Sequence, residues 1–260
     1  MSGKNLKIGL ALGSGAARGM AHIPILEVLE DEGIRIDMIA GTSIGSLIGG
    51  VYAAGVPVKY IKELAKELNW DHITDVTFPR KGLIKGEKLL SFLELVTQGK
   101  KIEDLKIPFC AIACDIEKGE HVVLDKGSLA RAIRASTSIP GIYVPFRHQN
   151  RILVDGAVLD PIPISTLKEM GADIVIAVDV SIKNLHYEAE NIFHILFNTF
   201  DIIQNQLEKY KTFEADVVIK PDLINCNSFD LDSHEECFFA GREAIYQALA
   251  RIKEKIKEKS

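Results

Sequence analysis

Residues 34–55, IRIDMIAGTSIGSLIGGVYAAG, contain the pattern that decides the fold of this chain. An apolar run at 36–40 meets GTSIG at 41–45, and a second apolar run rich in small residues follows. Glycines on both sides of Ser43 favour a tight turn, because a Cβ at either position would collide with the elements that the turn joins. The stretch predicts a strand, a turn with Ser43 at its apex, and a buried helix whose N-terminus favours negative charge beside the hydroxyl.

Two other interpretations fit the same residues. Residues 38–58 carry no charge, and Gly41, Gly45 and Gly49 have the spacing of a helix-dimer face in a membrane. Five glycines and Pro57 argue against a helix exposed to lipid. A G-x-S-x-G pentapeptide also occurs by chance in ordinary strand-to-helix turns, so residues elsewhere must decide its role.

Composition limits the classes of protein to consider. A chain of 260 residues suffices for one large α/β domain, and its net charge of -5 argues against nucleic-acid binding. The start shows no secretory signal, and four cysteines are too few for a disulfide scaffold, so we expect a cytoplasmic protein with reduced thiols. Cys110 and Cys114 share one face of a predicted strand, but no further ligand spacing supports a metal pair there.

The chain opens with alternating strands and helices. Residues 7–12, KIGLAL, predict a strand, which is followed by a glycine-rich loop at 13–19 and a helix over about 20–32. Together with the strand and helix around Ser43, this order predicts right-handed crossovers and a mainly parallel sheet. Further strands are predicted at 107–115, 120–124, 151–154, 173–180 and 216–219, and a C-terminal helix at about 238–259.

The glycine-rich loop has two interpretations. Dinucleotide binding requires G-x-G-x-x-G and an acidic residue about 20 positions on. Gly13, Gly15 and Asp37 fit this pattern, but Arg18 stands where the third glycine belongs, which makes the fingerprint partial.

The second interpretation is an oxyanion hole beside Ser43. The small residues Gly15 and Ala16 allow backbone N–H groups to point into a site, and both loops leave the carboxyl ends of neighbouring strands. Arg18 would then brace the loop or bind an anion, unless it is a surface arginine at a helix start.

Two further segments bear on the site. Residues 56–100 predict a helical excursion from a single domain spanning 1–260, and its amphipathic pattern favours core packing over a substrate groove. The loop at 137–146, TSIPGIYVPF, fits an acyl-binding patch and a buried loop equally well.

Asp155 follows the predicted strand at 151–154 and precedes Gly156 and Ala157. A carboxylate in such a turn faces a neighbouring loop or caps its own turn, and the second role is common. Because Asp155 lies 112 residues beyond Ser43, only the fold can bring the two together.

Three motifs in order, LGSGAARG at 12–19, GTSIG at 41–45 and DGA at 155–157, resemble the patatin-like phospholipase family, specifically its short stand-alone prokaryotic members. The resemblance runs over roughly residues 5–220. It implies an α/β fold built as a three-layer α/β/α sandwich with a mainly parallel central sheet. It also implies that Ser43 is a nucleophile and that Asp155 completes a Ser-Asp dyad.

In the family, the glycine-rich loop supplies the oxyanion hole. The resemblance and the helix after Ser43 assign this role to the N–H groups of Gly15, Ala16 and Ile44. The remaining motif residues support the loops: Gly13, Ser14, Arg18, Gly19, Gly41, Gly45 and Gly156. Ser14 and Ala16 replace glycines that the family usually has, which bears on substrate range more than on chemistry.

No histidine has an obvious motif context; the candidates are His22, His148, His186, His194 and His234. An aspartate base has an unperturbed pKa of about 3.9, but burial raises the pKa of a carboxyl. We therefore predict a serine acyl hydrolase for lipid or lysophospholipid esters that needs no metal or cofactor, and whose membrane contact is transient. The alternatives are a patatin-fold regulatory or binding protein with little turnover and, less favoured, a dinucleotide-binding protein. Head group, acyl length and oligomeric state are left open.

Overall fold

The computed structural model describes residues 6–78, 80–182, 189–211, 214–226 and 233–260. Within these residues, eight strands form one sheet. They are β1 (Ile8–Leu12), β2 (Met38–Thr42), β3 (Phe109–Asp115), β4 (Glu120–Leu124), β5 (Phe146–His148), β6 (Arg151–Asp155), β7 (Ile174–Val178) and β8 (Val217–Ile219).

Nine α-helices of the described residues surround this sheet. They are α1 (His22–Asp31), α2 (Ile44–Ala53), α3 (Val58–Glu67), α4 (Trp70–Ile73), α5 (Glu87–Val96), α6 (Leu129–Ser136), α7 (Ile164–Glu169), α8 (Ile192–Lys211) and α9 (His234–Lys259). Short 3₁₀ turns precede α1 at Ala16–Ala21 and follow β6 at Gly156–Val158.

The sheet is mixed. Strands β8, β7, β1, β2 and β3 are parallel neighbours in that order, whereas β4, β5 and β6 join by antiparallel pairing. The parallel part bears out the alternation of strands and helices in the first half of the sequence.

Strand β3 joins the parallel and antiparallel parts of the sheet, because three strands, β2, β4 and β6, pair with its two edges. Residues 111–115 pair with β4 along one edge. The other edge is divided, since β2 pairs with 109–112 and β6 pairs with 113–115 in the opposite direction. Strands β2 and β6 therefore meet head-on beside β3, with Thr42 opposite Ile112 and Asp155 opposite Ala113.

The sheet separates two hydrophobic cores. The larger core contains Leu10, Ile39 and Leu153 from the sheet and residues from α1, α2, α5, α6 and α9. The smaller core lies on the other face, where Ile164 and Leu167 of α7 pack on Ala40 and other strand residues. Helices on both faces agree with the three-layer α/β/α arrangement.

Several predicted boundaries differ from the observed ones. The first helix begins as a 3₁₀ turn at Ala16, and the C-terminal helix begins at His234 rather than near 238. The short edge strand β5 was not predicted, because Phe146–His148 offers only three residues of pattern. Among the described residues, no helix is long and apolar enough to cross a membrane, and α2 has only 10 residues.

Candidate active site

Ser43 occupies a strained turn between β2 and α2. Its φ of 55° and ψ of -125° are rare for a residue with a side chain, and it is 4% exposed. A Cβ at Gly45 would lie 2.1 Å from the Leu12 carbonyl oxygen, and one at Gly41 would lie 2.6 Å from the Ser46 backbone. The two glycines thus allow the close approach of strand and helix that the turn requires, as the sequence predicted.

The backbone of Ser43 is held from both sides. Its N–H donates to Oγ of Ser136 at 2.9 Å, and its carbonyl oxygen accepts from the hydroxyl of Ser46 at 2.6 Å. Because its own N–H is engaged, the donors left for a negative charge beside the hydroxyl come from neighbouring residues.

Asp155 ends β6, which meets the end of β2, the strand that leads to Ser43. It is fully buried, and its N–H donates to the carbonyl of Ser138 at 2.9 Å. A Cβ at Gly156 would lie 2.4 Å from the Ile112 carbonyl oxygen, so only glycine allows this turn to lie so close to β3.

The two oxygens of Asp155 have different environments. Oδ1 accepts a hydrogen bond from the N–H of Ala157 at 2.9 Å, which is the turn-capping role that the sequence also allowed. Oδ2 is buried and has no hydrogen bond of regular geometry from the described residues. Burial raises the pKa of Asp155 to about 7, while the Ser43 side chain and the Ala157 N–H oppose that rise. The Ser43 side chain is therefore close enough to Asp155 to affect the ionisation of its carboxyl group.

The glycine-rich loop lies beside the same corner. The N–H groups of Gly13 and Ser14 donate to the carbonyls of Val178 and Pro161 at 3.1 and 2.9 Å. The N–H of Gly15 has no backbone acceptor among the described residues. A Cβ on Gly15 would lie 2.5 Å from Cγ2 of Val180, which fixes how closely the loop packs on the strand end.

Arg18 orients this loop. It is 1% exposed, and its Nε donates to the carbonyl oxygen of Gly15 at 3.1 Å while its Nη2 pairs with Asp201 of α8. In a planar trans peptide the N–H points away from the carbonyl oxygen, so this bond aims the Ala16 N–H in the opposite direction. Ala16 has a φ of 51° and lines the cavity beside Ser43. The structure therefore favours the bracing role for Arg18 and excludes a surface position.

His22 supports the glycine-rich loop and does not act as a base beside Ser43. Its Nε2 donates to the carbonyl oxygen of Gly13 at 2.9 Å, and complete burial lowers its pKa to about 4, so the ring is neutral. His186 lies outside the described residues.

An apolar cavity of about 130 Å³ opens beside Ser43. Three of its lining residues carry a hydroxyl group, Ser43, Thr137 and Tyr143, and none is charged. The others are Ala16, Ala17, Met20, Ile44, Leu47, Ile48, Val51, Ile61, Leu64, Ala65, Leu68, Ile73, Leu89, Phe92, Val96 and Ile139.

Eight of these lining residues come from the segment 58–96, from Ile61 to Val96. Some of them, including Leu89, also belong to the larger core. The sequence favoured core packing over a groove for this segment, and the structure gives its side chains both roles. Ile139 and Tyr143, from the loop at 137–146, line the same cavity. This loop is therefore partly buried and also forms part of the apolar wall beside Ser43.

The geometry disfavours the other ligands considered. Asp37 precedes β2 and accepts from the N–H of Ile8 at 2.9 Å, so it lies at the amino ends of β1 and β2, whereas the glycine-rich loop follows the carboxyl end of β1. Dinucleotide binding through that pair is therefore not supported. Cys110 and Cys114 are buried in β3, and no cluster of three metal-ligating side chains occurs in the described part of the chain.

Comparison with known proteins identifies the family. A family model described as patatin-like phospholipase matches residues 10–168, which include the glycine-rich loop, Ser43 and Asp155. The chain belongs to the patatin-like phospholipase family. An NTE family protein of Mycobacterium tuberculosis is 39% identical over 178 residues, which cover 67% of this chain and 49% of that protein.

More distant relatives of the patatin-like chain extend the match. Lysophospholipase NTE1 of Scheffersomyces stipitis is 30% identical over 269 residues, covering 91% of this chain and 17% of that protein. The chain thus spans about half or less of the length of these relatives. The crystal structure of VipD from Legionella pneumophila has a TM-score of 0.58 at 13% identity, covering 94% of this chain and 66% of VipD, and shares the fold.

Sequence reasoning missed three residues of this patatin-like site. Ser136 accepts from the N–H of Ser43, Asp201 pairs with Arg18, and Arg134 bonds Ser138 through Nη1 at 2.6 Å. Ser136 and Arg134 both lie on α6, a helix that carries none of the three motifs. Asp201 had no signal, because its helix is separated by about 180 residues from the loop that it supports.

Proposed function

We propose that this chain is a serine acyl hydrolase that cleaves carboxylic esters of lipids or lysophospholipids. The observation that carries the proposal is the position of Ser43, which faces an almost wholly apolar cavity and lies beside a buried carboxyl group with a pKa of about 7. The names of the fungal relatives, which are lysophospholipases, support the same class of substrate.

In the proposed reaction, Oγ of Ser43 attacks the ester carbonyl carbon and its proton passes to Asp155. Collapse of the tetrahedral intermediate breaks the ester bond, and the leaving alcohol takes the proton from Asp155. A water molecule then attacks the acyl-Ser43 ester, and Asp155 accepts its proton. Collapse of this second intermediate breaks the bond between the acyl carbon and Oγ of Ser43, which takes the proton back from Asp155 as the carboxylic acid leaves. A base whose pKa lies near the operating pH is effective in both half-reactions, and a positioned base contributes about 10²–10⁴ in rate.

The oxyanion of each intermediate would be bound by the N–H groups of Gly15, Ala16 and Ile44. The N–H of Gly15 lacks a backbone acceptor among the described residues, and the first N–H groups of α2 have no partner within the helix. Arg18 aims the Ala16 N–H away from the Gly15 carbonyl. Each such donor contributes about 2.7–4 kcal/mol to the stability of the transition state.

The cavity lining supports a lipid acyl group as the part of the substrate that enters. Because the lining has three hydroxyl groups and no charged side chain, a charged head group would lose its hydration without gaining a partner of opposite charge. We therefore propose that the acyl chain fills the cavity and that the head group stays at the surface.

Labelling with a fluorophosphonate probe tests the nucleophile. The wild type should be labelled and Ser43→Ala should not. Ser91→Ala is the matched control, since Ser91 is an exposed serine of α5 that does not line the cavity, and this variant should leave labelling intact. Full labelling of the Ser43→Ala protein would exclude Ser43.

Hydrolysis of a short-chain aryl ester and of lysophosphatidylcholine separates an enzyme from a regulatory protein. We expect both esters to be cleaved by the wild type, with the loss of both activities in Ser43→Ala. A purified, folded protein that cleaves neither ester would support the alternative of a patatin-fold binding protein.

The cytoplasm is the proposed location. All four cysteines are buried and free, which supports a reducing compartment. Fractionation of the source cells with an antibody against the chain tests this assignment.

A further inference from the structure

The segments 76–78, VTF, and 80–85, RKGLIK, display apolar side chains to solvent. Val76 is 84% exposed and Phe78 is 77% exposed, which is a large exposure for apolar side chains. We call these two segments together the 76–85 hairpin, because Val76 and Ile84 form an antiparallel bridge and the N–H of Thr77 donates to the carbonyl of Leu83 at 2.9 Å; Pro79 between them lies outside the described residues.

The base of the 76–85 hairpin is firmly held. Ile84 also bridges Tyr143, and Lys85 donates its N–H to the carbonyl of Asp75 at 2.9 Å. The buried guanidinium of Arg134 donates to the carbonyl oxygens of Lys85 and Gly86 at 2.7 and 3.0 Å. The exposed tip is therefore presented by a fixed base, so its apolar residues are displayed at little further cost in conformational entropy.

The charge of the 76–85 hairpin is opposite to that of the whole chain. Arg80, Lys81 and Lys85 are exposed, and the segment contains no acidic residue, whereas the chain as a whole carries -5. Three cations beside two exposed apolar side chains are complementary to a layer with negative charges at its surface and apolar groups beneath them.

The hairpin adjoins the cavity beside Ser43. Ile73, which precedes the hairpin, and Tyr143, which it bridges, both line that cavity. The lining residues Leu64 and Phe92 are partly exposed, so the cavity reaches the surface between α3 and α5. Leu95, on α5 beside them, is 77% exposed and extends the apolar surface.

We propose that the 76–85 hairpin docks this chain on an anionic lipid surface, with Val76 and Phe78 entering the interface and Arg80, Lys81 and Lys85 contacting acidic head groups. This choice of occupant rests on the proposed lipid hydrolase function, because a lipid leaving the bilayer would enter the cavity at the docked face. Burial of apolar side chains strengthens membrane binding by such a site, and each cation near the surface raises the affinity about fivefold.

Vesicle flotation with the full chain in the Ser43→Ala background tests the docking without hydrolysis. The probes are vesicles of phosphatidylcholine alone and vesicles with about one third phosphatidylglycerol. We expect preferential binding to the anionic vesicles. Val76→Ser with Phe78→Ala should weaken that binding at least about tenfold. Arg80→Gln with Lys81→Gln should weaken it about 25-fold and remove the preference for anionic vesicles.

Phe239→Ala is the matched control. Phe239 of α9 is 69% exposed but lies in a surface cleft with Glu235, Glu236 and Glu243, which an anionic surface would repel. This variant should bind vesicles like its parent.

Three outcomes would overturn the proposal: no binding to either vesicle, equal loss in Phe239→Ala, or a tip variant that binds normally. A tip variant that instead converts a dimer to a monomer in light scattering would identify a second copy of the chain as the occupant, and would also overturn it. Cleavage of a short-chain soluble ester by the same variants with Ser43 intact should stay unchanged. Vesicle binding without any ester cleavage would therefore refute the proposed function and leave the docking site in place.

Discussion

The corner that holds Ser43 and Asp155 and the helical cover at 58–96 are built by different means. At the corner, backbone packs directly on backbone: added Cβ atoms at Gly45 and Gly156 would meet carbonyl oxygens at 2.1 and 2.4 Å. The cover contacts the site through the ends of apolar side chains, and several neighbouring residues remain exposed. The difference suggests that chemistry is set by the backbone and that substrate preference is set by exchangeable side chains.

The largest expected effect is on the backbone of the corner. Gly45→Ala should abolish folded protein, because its Cβ would meet the Leu12 carbonyl oxygen at 2.1 Å, and backbone cannot yield as a side chain does. Gly49→Ala in the same helix should change the free energy of unfolding by less than about 2 kcal/mol, since the nearest contacts of its Cβ are side-chain atoms of Ile39 and Leu12 at 2.9 Å and no backbone atom. Urea denaturation compares the two, and equal stability would refute the distinction.

The next largest effect is at Asp155. Asp155→Asn should reduce ester hydrolysis by about 10²–10⁴, because an amide cannot accept the proton from Ser43. In the wild type, hydrolysis should rise with pH through about 7 as the carboxyl ionises. A flat pH–rate profile from pH 5 to about 9 would contradict the assigned base.

The same substitution should stabilise the fold at alkaline pH. The folded-state pKa of Asp155, about 7, lies above the ordinary value of 3.8, so the native state binds the proton more tightly than the unfolded chain. Stability then falls as pH rises from about 4 to about 7 and levels off above that range. Asp155→Asn should gain at most about 4 kcal/mol over the wild type near pH 8 and little near pH 4. Thermal melts at the two pH values measure the difference in stability between Asp155→Asn and the wild type. A difference that does not depend on pH would contradict the raised pKa.

A smaller effect is expected where side chains support the corner. Arg18→Lys should lower kcat about tenfold to 100-fold with little change in KM, because lysine cannot bond both the Gly15 carbonyl and Asp201 in the same geometry. Arg242→Lys is the control, since Arg242 pairs with Glu27 at the partly exposed surface. Steady-state kinetics on a soluble ester should leave this control within about twofold of the wild type.

The smallest effect should come from the cover. Phe92→Ala removes part of the cavity wall and its apolar contact with a long acyl chain. It should lower kcat/KM for a long-chain ester about tenfold, while kcat/KM for an acetyl ester stays within about twofold of the wild type. Equal losses on both esters would mean that the cover supports the corner itself, which would break the contrast between the two regions.

The sequence was informative wherever local backbone geometry decides the structure. The glycines around Ser43 predicted the strand, turn and helix, and the alternation of elements predicted the parallel part of the sheet. The family resemblance linked Ser43 to Asp155, and the strands that lead to them, β2 and β6, end against each other on the divided edge of β3.

The rest depended on contacts between distant residues. The amphipathic pattern of 58–96 marks an apolar face but does not distinguish a core neighbour from a cavity wall, and Leu89 is both. The pairing of Arg18 with Asp201 joins segments that no motif connects. The basic 76–85 hairpin was overlooked because the acidic total of the chain hides a local excess of cations.

One contiguous stretch of chain supplies eight residues of the cavity wall, and it is flanked by Pro57 on one side and by the short bridge between Lys101 and Ser128 on the other. A protein engineer could therefore exchange that stretch as a single cassette, in one splice, without touching the strands that carry Ser43 and Asp155. Libraries built on this plan would vary the fatty acid that is released while the reacting groups stay as they are.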